Sequence, residues 1–567
     1  MPAARGQAPE AGAAALAGSG LLDAASWWGE PGRVGWQPGA WLGLAPPAPL
    51  AGLVVGGWQL EEPGRASSSM PWPGVCQARS PLAWYDSLEV RGMGGGALAG
   101  FDGTLAGLRG HTPAGERQAR STFSLANGSA GLDENALTLA RGDSLQGFGV
   151  DVASGKRGAM GGIQLAGRHQ WGARANLTRG QHQFEASVAQ RGAAAQLVGL
   201  EEQSASGQSG AAGWRWQRGG TGWTAVFSRG LDRHESSGGP LAFSEREAQE
   251  TRLAAGFGHA RAGREVGARV EWTEASVRRF GSGAFSRECR GLWGAVRAEV
   301  PAAGGRLELA LGAGRHGGVE RFEVAPSAEF QVRARGLDAA LGLERVLTPV
   351  WADLAPGTEP FLQHAWIGTL RLATAPPGAW RARASLRAGR VYSRALLERL
   401  PLEELWLRRG LRSESGAYDL ALAEGGLEWE GRHAGAGLEG FGLAHRSTAT
   451  PGGAARGPGS DPDAGFRAWV GGRVTVFGGD LGVGLRGEAA GVGAREAQVD
   501  PLRRLPAFVT FALVGQLTLL RDAVIVLRAR NLEDRARAQL WTDSATGLPA
   551  VAERRDLTLS FVWRLFN

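Results

Sequence analysis

The side chains with the clearest chemical potential are three arginines, Arg381, Arg383 and Arg387, which lie close together in the sequence. Successive side chains of an extended strand point to opposite faces, so these three odd-numbered positions share one face. Such a row of guanidinium groups could form an electropositive wall that attracts anionic solutes to an aqueous passage. The alternative is a structural set, each arginine paired with an Asp or Glu on a neighbouring strand. We favour this second interpretation.

No other motif predicts a reaction. Residues 312–317 fit the pattern GxGxxG, but no helical pattern follows them, as a dinucleotide site would require. The nine histidines are dispersed, without HExxH and without a pair at metal-ligand spacing. Cys76 and Cys289 belong to no CxxC pair, and a single disulfide between them stays open. We therefore expect no catalytic residue, no cofactor and no metal site, and a protein that is not an enzyme.

The elements that would position these arginines are strands, and the clearest one ends the chain. In residues 556–567 every second side chain is apolar, namely Leu557, Leu559, Phe561, Trp563 and Leu565. Thr558, Ser560 and Arg564 lie between them. A period of two predicts an extended strand with one apolar face. We interpret this strand as the one that closes a large β-barrel.

The same alternation recurs upstream from about residue 121, for example in residues 266–273 and 380–387. Short turn signals such as Gly219-Gly220 separate some of these segments, and long polar inserts such as 232–249 and 448–463 separate others. This pattern is typical of a barrel that has one short-turn rim and one long-loop rim.

Composition narrows the classes of protein that fit. The chain has 567 residues, with 91 Gly and 21 Trp. It is too rich in aromatic residues for a disordered chain, and it lacks the period of collagen. The net charge is +7, and Lys156 is the only lysine. Because the arginines are spread singly along alternating segments, no nucleic-acid partner is predicted.

A membrane barrel explains the alternation better than a soluble sandwich does. The polar faces carry many full charges opposite faces of Leu, Val, Ala, Phe and Trp, as a wet lumen inside lipid would require. Trp171, Trp223, Trp272 and Trp380 lie toward predicted strand ends, where an interfacial aromatic girdle would form. Since no apolar run reaches about 18 residues, a transmembrane helix is not predicted. At roughly 20 residues per strand and its connection, the chain from residue 118 onward gives about 22 strands, within a range of 18–22.

Two stretches resemble the TonB-dependent outer-membrane receptors. Asn531–Asp534, followed by Gly547–Pro549 and the closing strand, is similar to the NL-x-D motif and final aromatic strand of that family. Ser87–Gly92 is similar to the EV-x-RG stretch near the end of the family's plug domain. The resemblance implies a receptor that moves a solute across the outer membrane. It leaves open a TonB-like energising protein as a partner.

The expected architecture is an irregular N-terminal segment at 1–83, a remnant plug-like segment at 84–117 and an all-β, transmembrane antiparallel β-barrel at 118–567. The expected partners are outer-membrane lipid and an unknown small solute, and the expected location is the bacterial outer membrane. The chain starts without a signal-peptide pattern, so we expect its N-terminus to be incomplete. The alternatives are a plugless porin-like passive channel, a structural or adhesive surface barrel, and a soluble all-β carbohydrate-binding protein.

Overall fold

The computed structural model describes much of the chain from residue 120 onward and three short stretches before it. The described residues are 59–61, 87–94, 104–111, 120–128, 132–142, 146–156, 163–197, 202–237, 244–281, 284–317, 319, 321–334, 336–350, 359–374, 379–397, 411–447, 464–496, 504–520, 522–534 and 555–566. Among them, no helix is both long and apolar enough to cross a membrane.

The strands are numbered in chain order. They are β1 (Gln59–Glu61), β2 (Ser87–Gly94), β3 (Thr104–His111), β4 (Arg120–Gly128), β5 (Leu132–Gly142), β6 (Gln146–Lys156), β7 (Ile163–Arg179), β8 (His182–Leu197), β9 (Glu202–Arg218), β10 (Thr221–Ser237), β11 (Ser244–Arg261), β12 (Arg264–Gly281), β13 (Phe285–Ala302), β14 (Gly305–His316), β15 (Arg321–Ala334), β16 (Leu337–Val350), β17 (Phe361–Thr374), β18 (Trp380–Leu397), β19 (Leu411–Glu430), β20 (Ala434–Ser447), β21 (Ala464–Val476), β22 (Leu481–Val492), β23 (Arg495–Glu496), β24 (Arg504–Leu505), β25 (Phe508–Leu519), β26 (Ala523–Arg530) and β27 (Asp556–Phe566). A single 3₁₀ turn at Phe477–Gly479 lies between β21 and β22 in the described chain.

Twenty-two of these strands, β4 to β22 and β25 to β27, form one closed antiparallel barrel. Each strand pairs with its neighbours in sequence, except that β22 pairs with β25 because β23 and β24 form a separate small sheet. β27 pairs with β26 on one side and with β4 on the other, which closes the ring. The predicted fold class, a transmembrane antiparallel β-barrel of about 22 strands, is confirmed.

The outer surface is apolar because strand alternation sorts the side chains onto two faces. On β14, for example, Leu309 and Leu311 are 47% and 49% exposed, whereas Ala310 between them is 8% exposed. Large exposed apolar side chains of this kind occur on most barrel strands. A continuous apolar band around a closed sheet is stable against hydrocarbon, where an open sheet edge would leave backbone groups unsatisfied.

Turn chemistry makes one rim of the barrel short. The chain reverses in two residues at Gly219-Gly220, Ala262-Gly263 and Ala303-Gly304, and φ is positive at every one of these positions. Two successive positive φ values define a type I′ turn, whose twist matches that of the flanking strands. The opposite rim carries longer connections, at 398–410 and 448–463 among others. By analogy with bacterial barrels, the short-turn rim faces the periplasm.

The tryptophans mark two levels on the outer surface. Trp223 and Trp380 lie beside the short turns, as the sequence predicts. Trp171 and Trp272 lie near the middle of their strands, so their predicted position at strand ends is wrong. The reason is strand length, because β7 and β12 have 17 and 18 residues and extend past the apolar band. At roughly 3.4 Å per residue and a tilt of about 40°, Trp171 and Trp272, each about nine residues from its short turn, lie ~23 Å from that rim.

Ahead of the barrel, β1, β2 and β3 form a three-stranded sheet in which β3 is central. β3 pairs in parallel with β1 and antiparallel with β2, and it approaches β16 of the barrel. The plug-like motif Ser87–Gly92 lies on β2. Most of the predicted irregular segment 1–83 lies outside the described residues.

Candidate functional site: the inner wall of the barrel

The inner wall is built by the side chains that alternate with the apolar outer ones. Trp380, Ala382 and Ala384 on β18 belong to the outer set, so Arg381, Arg383 and Arg387 belong to the inner set. The structure therefore places the three candidate arginines on one inner face. On β27, Leu557, Leu559 and Trp563 are 47%, 50% and 45% exposed on the outside, and Phe561 is half-buried. The side chain of Leu565 lies outside the described set.

Each arginine of this row faces a glutamate of a nearby strand. The pairs are Arg381–Glu430 at 3.4 Å, Arg383–Glu439 at 2.5 Å and Arg387–Glu424 at 2.8 Å. Arg387 is the most buried of the three, and its partner Glu424 also accepts a hydrogen bond from Ser385 Oγ at 2.9 Å. Because a carboxylate lies beside each guanidinium group, this part of the wall carries little net charge.

The pairing continues around the wall as a chain of alternating charges. Glu439 contacts Arg467 at 4.0 Å as well as Arg383, and Arg467 in turn pairs with Glu488 at 3.2 Å. Arg486 pairs with Glu488 at 2.8 Å, and its guanidinium carbon lies 4.4 Å from the ring centroid of Trp469. A polar network of this kind stabilises the wall when every member has a partner.

A second group of inner charges is a row of four glutamates on adjacent strands. Glu265 lies opposite Glu299, Glu299 opposite Glu308, and Glu308 opposite Glu329. Like charges directly opposite one another destabilise a sheet.

Three arginines offset the row of glutamates, in the pairs Arg297–Glu265, Arg306–Glu299 at 3.0 Å and Arg371–Glu329 at 2.6 Å. This part of the wall is therefore close to neutral as well.

A third group surrounds a fully buried arginine. Arg252 is 0% exposed and lies 3.1 Å from Glu250 and 3.0 Å from Glu271. Arg269 also bonds Glu271. Removing one member of a buried ion pair leaves an uncompensated charge, which costs several kcal/mol. These residues therefore hold the wall of β11 and β12 together.

Between the charged groups lies an inner apolar patch. It comprises Val346, Ala365, Ile367, Val391 and Leu420, and it continues into Leu422, Phe441 and Leu443 on β19 and β20. All of these side chains are 8% exposed or less. Apolar side chains facing a wet lumen would lose their hydrophobic stabilisation. Their burial therefore means that water does not reach this part of the inner wall.

One pair of inner side chains was not predicted from sequence. Cys289 on β13 is buried, and its Sγ lies 3.3 Å from Nε2 of His316 on β14. Cys76, the other half of the disulfide left open above, lies outside the described residues. In the part of the chain that the structure describes, no group of three or more His, Cys, Asp or Glu side chains is placed to hold a metal ion. The contact between Cys289 and His316 follows from the register of the β13–β14 hairpin, which the two-residue turn at Ala303-Gly304 sets.

Comparison with known proteins identifies the fold. No protein-family model matches the sequence, and no curated protein matches it significantly. Among solved structures, the copper transporter OprC has a TM-score of 0.77 at 12% identity, covering 95% of this chain and 96% of that one. The FrpB iron transporter from Neisseria meningitidis has a TM-score of 0.72 at 11% identity, with coverage of 91% and 93%. BauA, the ferric preacinetobactin receptor from Acinetobacter baumannii, has a TM-score of 0.71 at 11% identity, with 95% of each chain covered. The chain shares the fold of these proteins.

Proposed function

We propose that this protein is an outer-membrane importer of the TonB-dependent receptor type, which moves a small solute into the periplasm. The observation that carries this proposal is the closed barrel of 22 strands, apolar outside and lined inside by paired charges. A barrel of this size encloses a lumen that needs a plug if it is not to leak. The fold that this chain shares with the copper and iron transporters supports the proposed import function.

The segment at 84–117 is our candidate for the gate. It contains β2 and β3, and β3 approaches β16, the strand that carries Val346 of the inner apolar patch. β4 begins at the short-turn rim, since its connection to β5 lies at the other rim. The chain ahead of β4 thus joins the barrel on the proposed periplasmic side. A TonB-like energising protein would act on the gate from that side.

The solute would bind first among the long connections and then pass along a wall that favours neither sign of charge strongly. Neutral or zwitterionic complexes suit such a wall better than highly charged anions do. Because the compared proteins are named for copper and for iron carriers, a metal bound to a small organic chelator is the first solute class to test.

Uptake measurements test the proposal. Cells that express the full chain should accumulate a labelled metal chelate, and this uptake should stop when the proton gradient is collapsed. In planar bilayers the same protein should show little conductance, because the gate closes the lumen. Uptake that persists without the gradient, together with a large steady conductance, would favour the porin-like passive channel. Absence of both would favour the structural or adhesive barrel.

A further inference from the structure

The outward side chains change from apolar to charged above the apolar band. Four arginines, Arg179, Arg218, Arg261 and Arg264, flank the short turns. Beyond them, the described outward side chains carry no charge for roughly eight residues along each strand. The next charged outward residues are Arg229, Glu247, Glu274, Arg290, Arg315, Arg345, Arg390, Asp419 and Arg446. Arg290, Arg345 and Arg390 pair with Glu274, Glu323 and Asp419, and Glu247 lies further from the apolar band. The net positive charge of this level, here termed the arginine belt, therefore comes from Arg229, Arg315 and Arg446.

The belt lies at the outer boundary of the membrane. Arg229 and Arg345 are nine residues beyond Gly220 and Gly336 of the short turns, at about the level of Trp171 and Trp272. Aromatic side chains accompany the arginines, since Phe322 lies opposite Arg315 and is 69% exposed. Trp and Tyr with adjacent basic residues are typical of the level at which lipid head groups begin.

An apolar groove lies directly below part of the belt. It is lined by outward side chains of β12 to β17, including Val266, Val296, Leu309, Leu311, Leu343 and Trp366. Leu311 and Leu343 precede Arg315 and Arg345 on the same strands. A ligand that fits both surfaces has acyl chains for the groove and an anionic head group for the belt.

Arg290 and Arg315 form the best placed pair for that head group. Leu292 lies opposite Arg315 across β13 and β14, so Arg290 is the diagonal neighbour of Arg315. Both are on the outer face, and the side chain of Arg290 is 74% exposed although it bonds Glu274 at 2.9 Å. Guanidinium groups bind phosphate oxygens through two parallel hydrogen bonds, which an ammonium group cannot do.

We propose that the arginine belt and the groove below it bind a phosphate-bearing lipid of the outer leaflet, with Arg290 and Arg315 on the phosphate. This inference uses the membrane orientation of the proposed function, but it does not depend on transport. A second copy of the chain or a soluble protein is the competing occupant. The groove's position inside the apolar band favours lipid, because a partner docked there would itself have to be immersed in hydrocarbon.

Native mass spectrometry of the full chain in mild detergent tests this binding. The probe is diphosphorylated lipid A, compared with its dephosphorylated form and with inorganic phosphate. The double variant R290Q/R315Q should bind the phosphorylated lipid roughly 10- to 30-fold more weakly than the unchanged chain, since each surface arginine contributes about a factor of five. Inorganic phosphate alone should bind neither protein measurably, because it cannot use the groove.

The matched control is R218Q/R264Q, which removes the same charge from the short-turn rim and should change the affinity less than about twofold. Heat-modifiable gel migration checks that each variant folds, and solute uptake is measured separately. Equal affinities for R290Q/R315Q and the control, or equal binding of the dephosphorylated lipid, would overturn the proposal. So would a dimer mass that disappears only in R290Q/R315Q, since the surface would then join two copies of the chain.

Discussion

At the residue scale, the arginine row illustrates how burial decides the contribution of an ion pair. Arg387 and Glu424 form a half-buried pair, whereas Arg381 and Glu430 are each 65% exposed and 3.4 Å apart. Exposed pairs contribute about 0–1 kcal/mol because water screens them. Removing one member of a partly buried pair costs more, because the remaining charged partner stays desolvated.

We therefore expect Arg387→Gln to lower the free energy of unfolding by roughly 1–3 kcal/mol, and Arg381→Gln by about 0–1 kcal/mol. Urea unfolding in phospholipid vesicles, followed by tryptophan fluorescence, measures both. The two variants lose the same charge on the same strand, so each serves as the control of the other. Equal effects would mean that Arg387 acts through overall charge and not through its contact with Glu424.

A second residue-scale prediction concerns the type I′ turns. Gly220 and Gly304 both occupy the second turn position with positive φ, at 86° and 77°. A Cβ at Gly220 would lie 2.3 Å from the carbonyl oxygen of Ala260, but a Cβ at Gly304 would have no atom within 4 Å. Gly304→Ala should cost about 1–2 kcal/mol from the unfavourable φ alone. Gly220→Ala should cost more, because β11 must move as well.

The midpoint temperature of heat-modifiable gel migration measures this difference. Gly220→Ala should lower the midpoint further than Gly304→Ala does, and Gly304→Ala should lower it further than a substitution at an exposed strand position. A larger loss for Gly304→Ala would show that the close approach of Ala260 does not constrain the β9–β10 turn.

At the element scale, the motif Asn531–Asp534 has a physical role in holding the closing strand. Asn531 and Asp534 both have positive φ, which Asn and Asp tolerate better than most residues. The Asp534 carboxylate accepts a hydrogen bond from the backbone N–H of Arg555 at 3.0 Å. The Arg555 guanidinium donates to the Leu532 carbonyl at 2.6 Å. The turn after β26 is thereby fastened to the residue that precedes β27.

We expect Asp534→Ala to destabilise the barrel by roughly 1–2 kcal/mol, because it removes the acceptor and the residue type suited to positive φ. Asp534→Asn keeps an acceptor oxygen and tolerates the same φ, so it should retain most of the stability. Heat-modifiable migration and the rate of barrel assembly in vesicles measure the effect. Indistinguishable behaviour of the two variants would indicate that the contact with Arg555 does not secure β27.

The elements also show which features a sequence can predict. The alternation in residues 556–567 predicts the closing strand because the two-residue period is local and each face has one environment. The partner of Arg383 is Glu439, which is 56 residues away, and Cys289 meets His316 across 27 residues. The first contact depends on the register of three strands, β18 to β20, and the second on the register of the β13–β14 hairpin. The mid-strand positions of Trp171 and Trp272 could not be predicted. The strand segments that extend above the membrane have the same two-residue period as the segments inside it, so the sequence does not mark where the membrane ends.

At the scale of the whole molecule, the two tryptophan levels and the arginine belt define one membrane thickness. The short turns, with Trp223 and Trp380 beside them, mark the inner boundary, and Trp171 and Trp272 mark the outer one, ~23 Å from those turns. Mismatch between a protein's apolar band and the bilayer costs fractions of a kcal/mol per Å. In a bilayer thicker than the band, belt arginines would be drawn into hydrocarbon, where each costs about 2–4 kcal/mol at the midplane and less near the interface.

Stability should therefore peak in bilayers whose hydrocarbon is about 23–25 Å thick and decline as lipid chains lengthen. Urea unfolding in vesicles of phosphatidylcholines with increasing chain length measures this dependence. R290Q/R315Q should decline less steeply in thick bilayers, because neutral side chains are less costly to bury than guanidinium groups. R218Q/R264Q is an informative second variant, because its changes lie at the opposite membrane boundary. It should also reduce the loss of stability with bilayer thickness, through arginines at that boundary. A stability that rises steadily up to about 35 Å of hydrocarbon would contradict this height of the apolar band. The polar strand extensions above Trp171 and Trp272 would then lie inside the membrane.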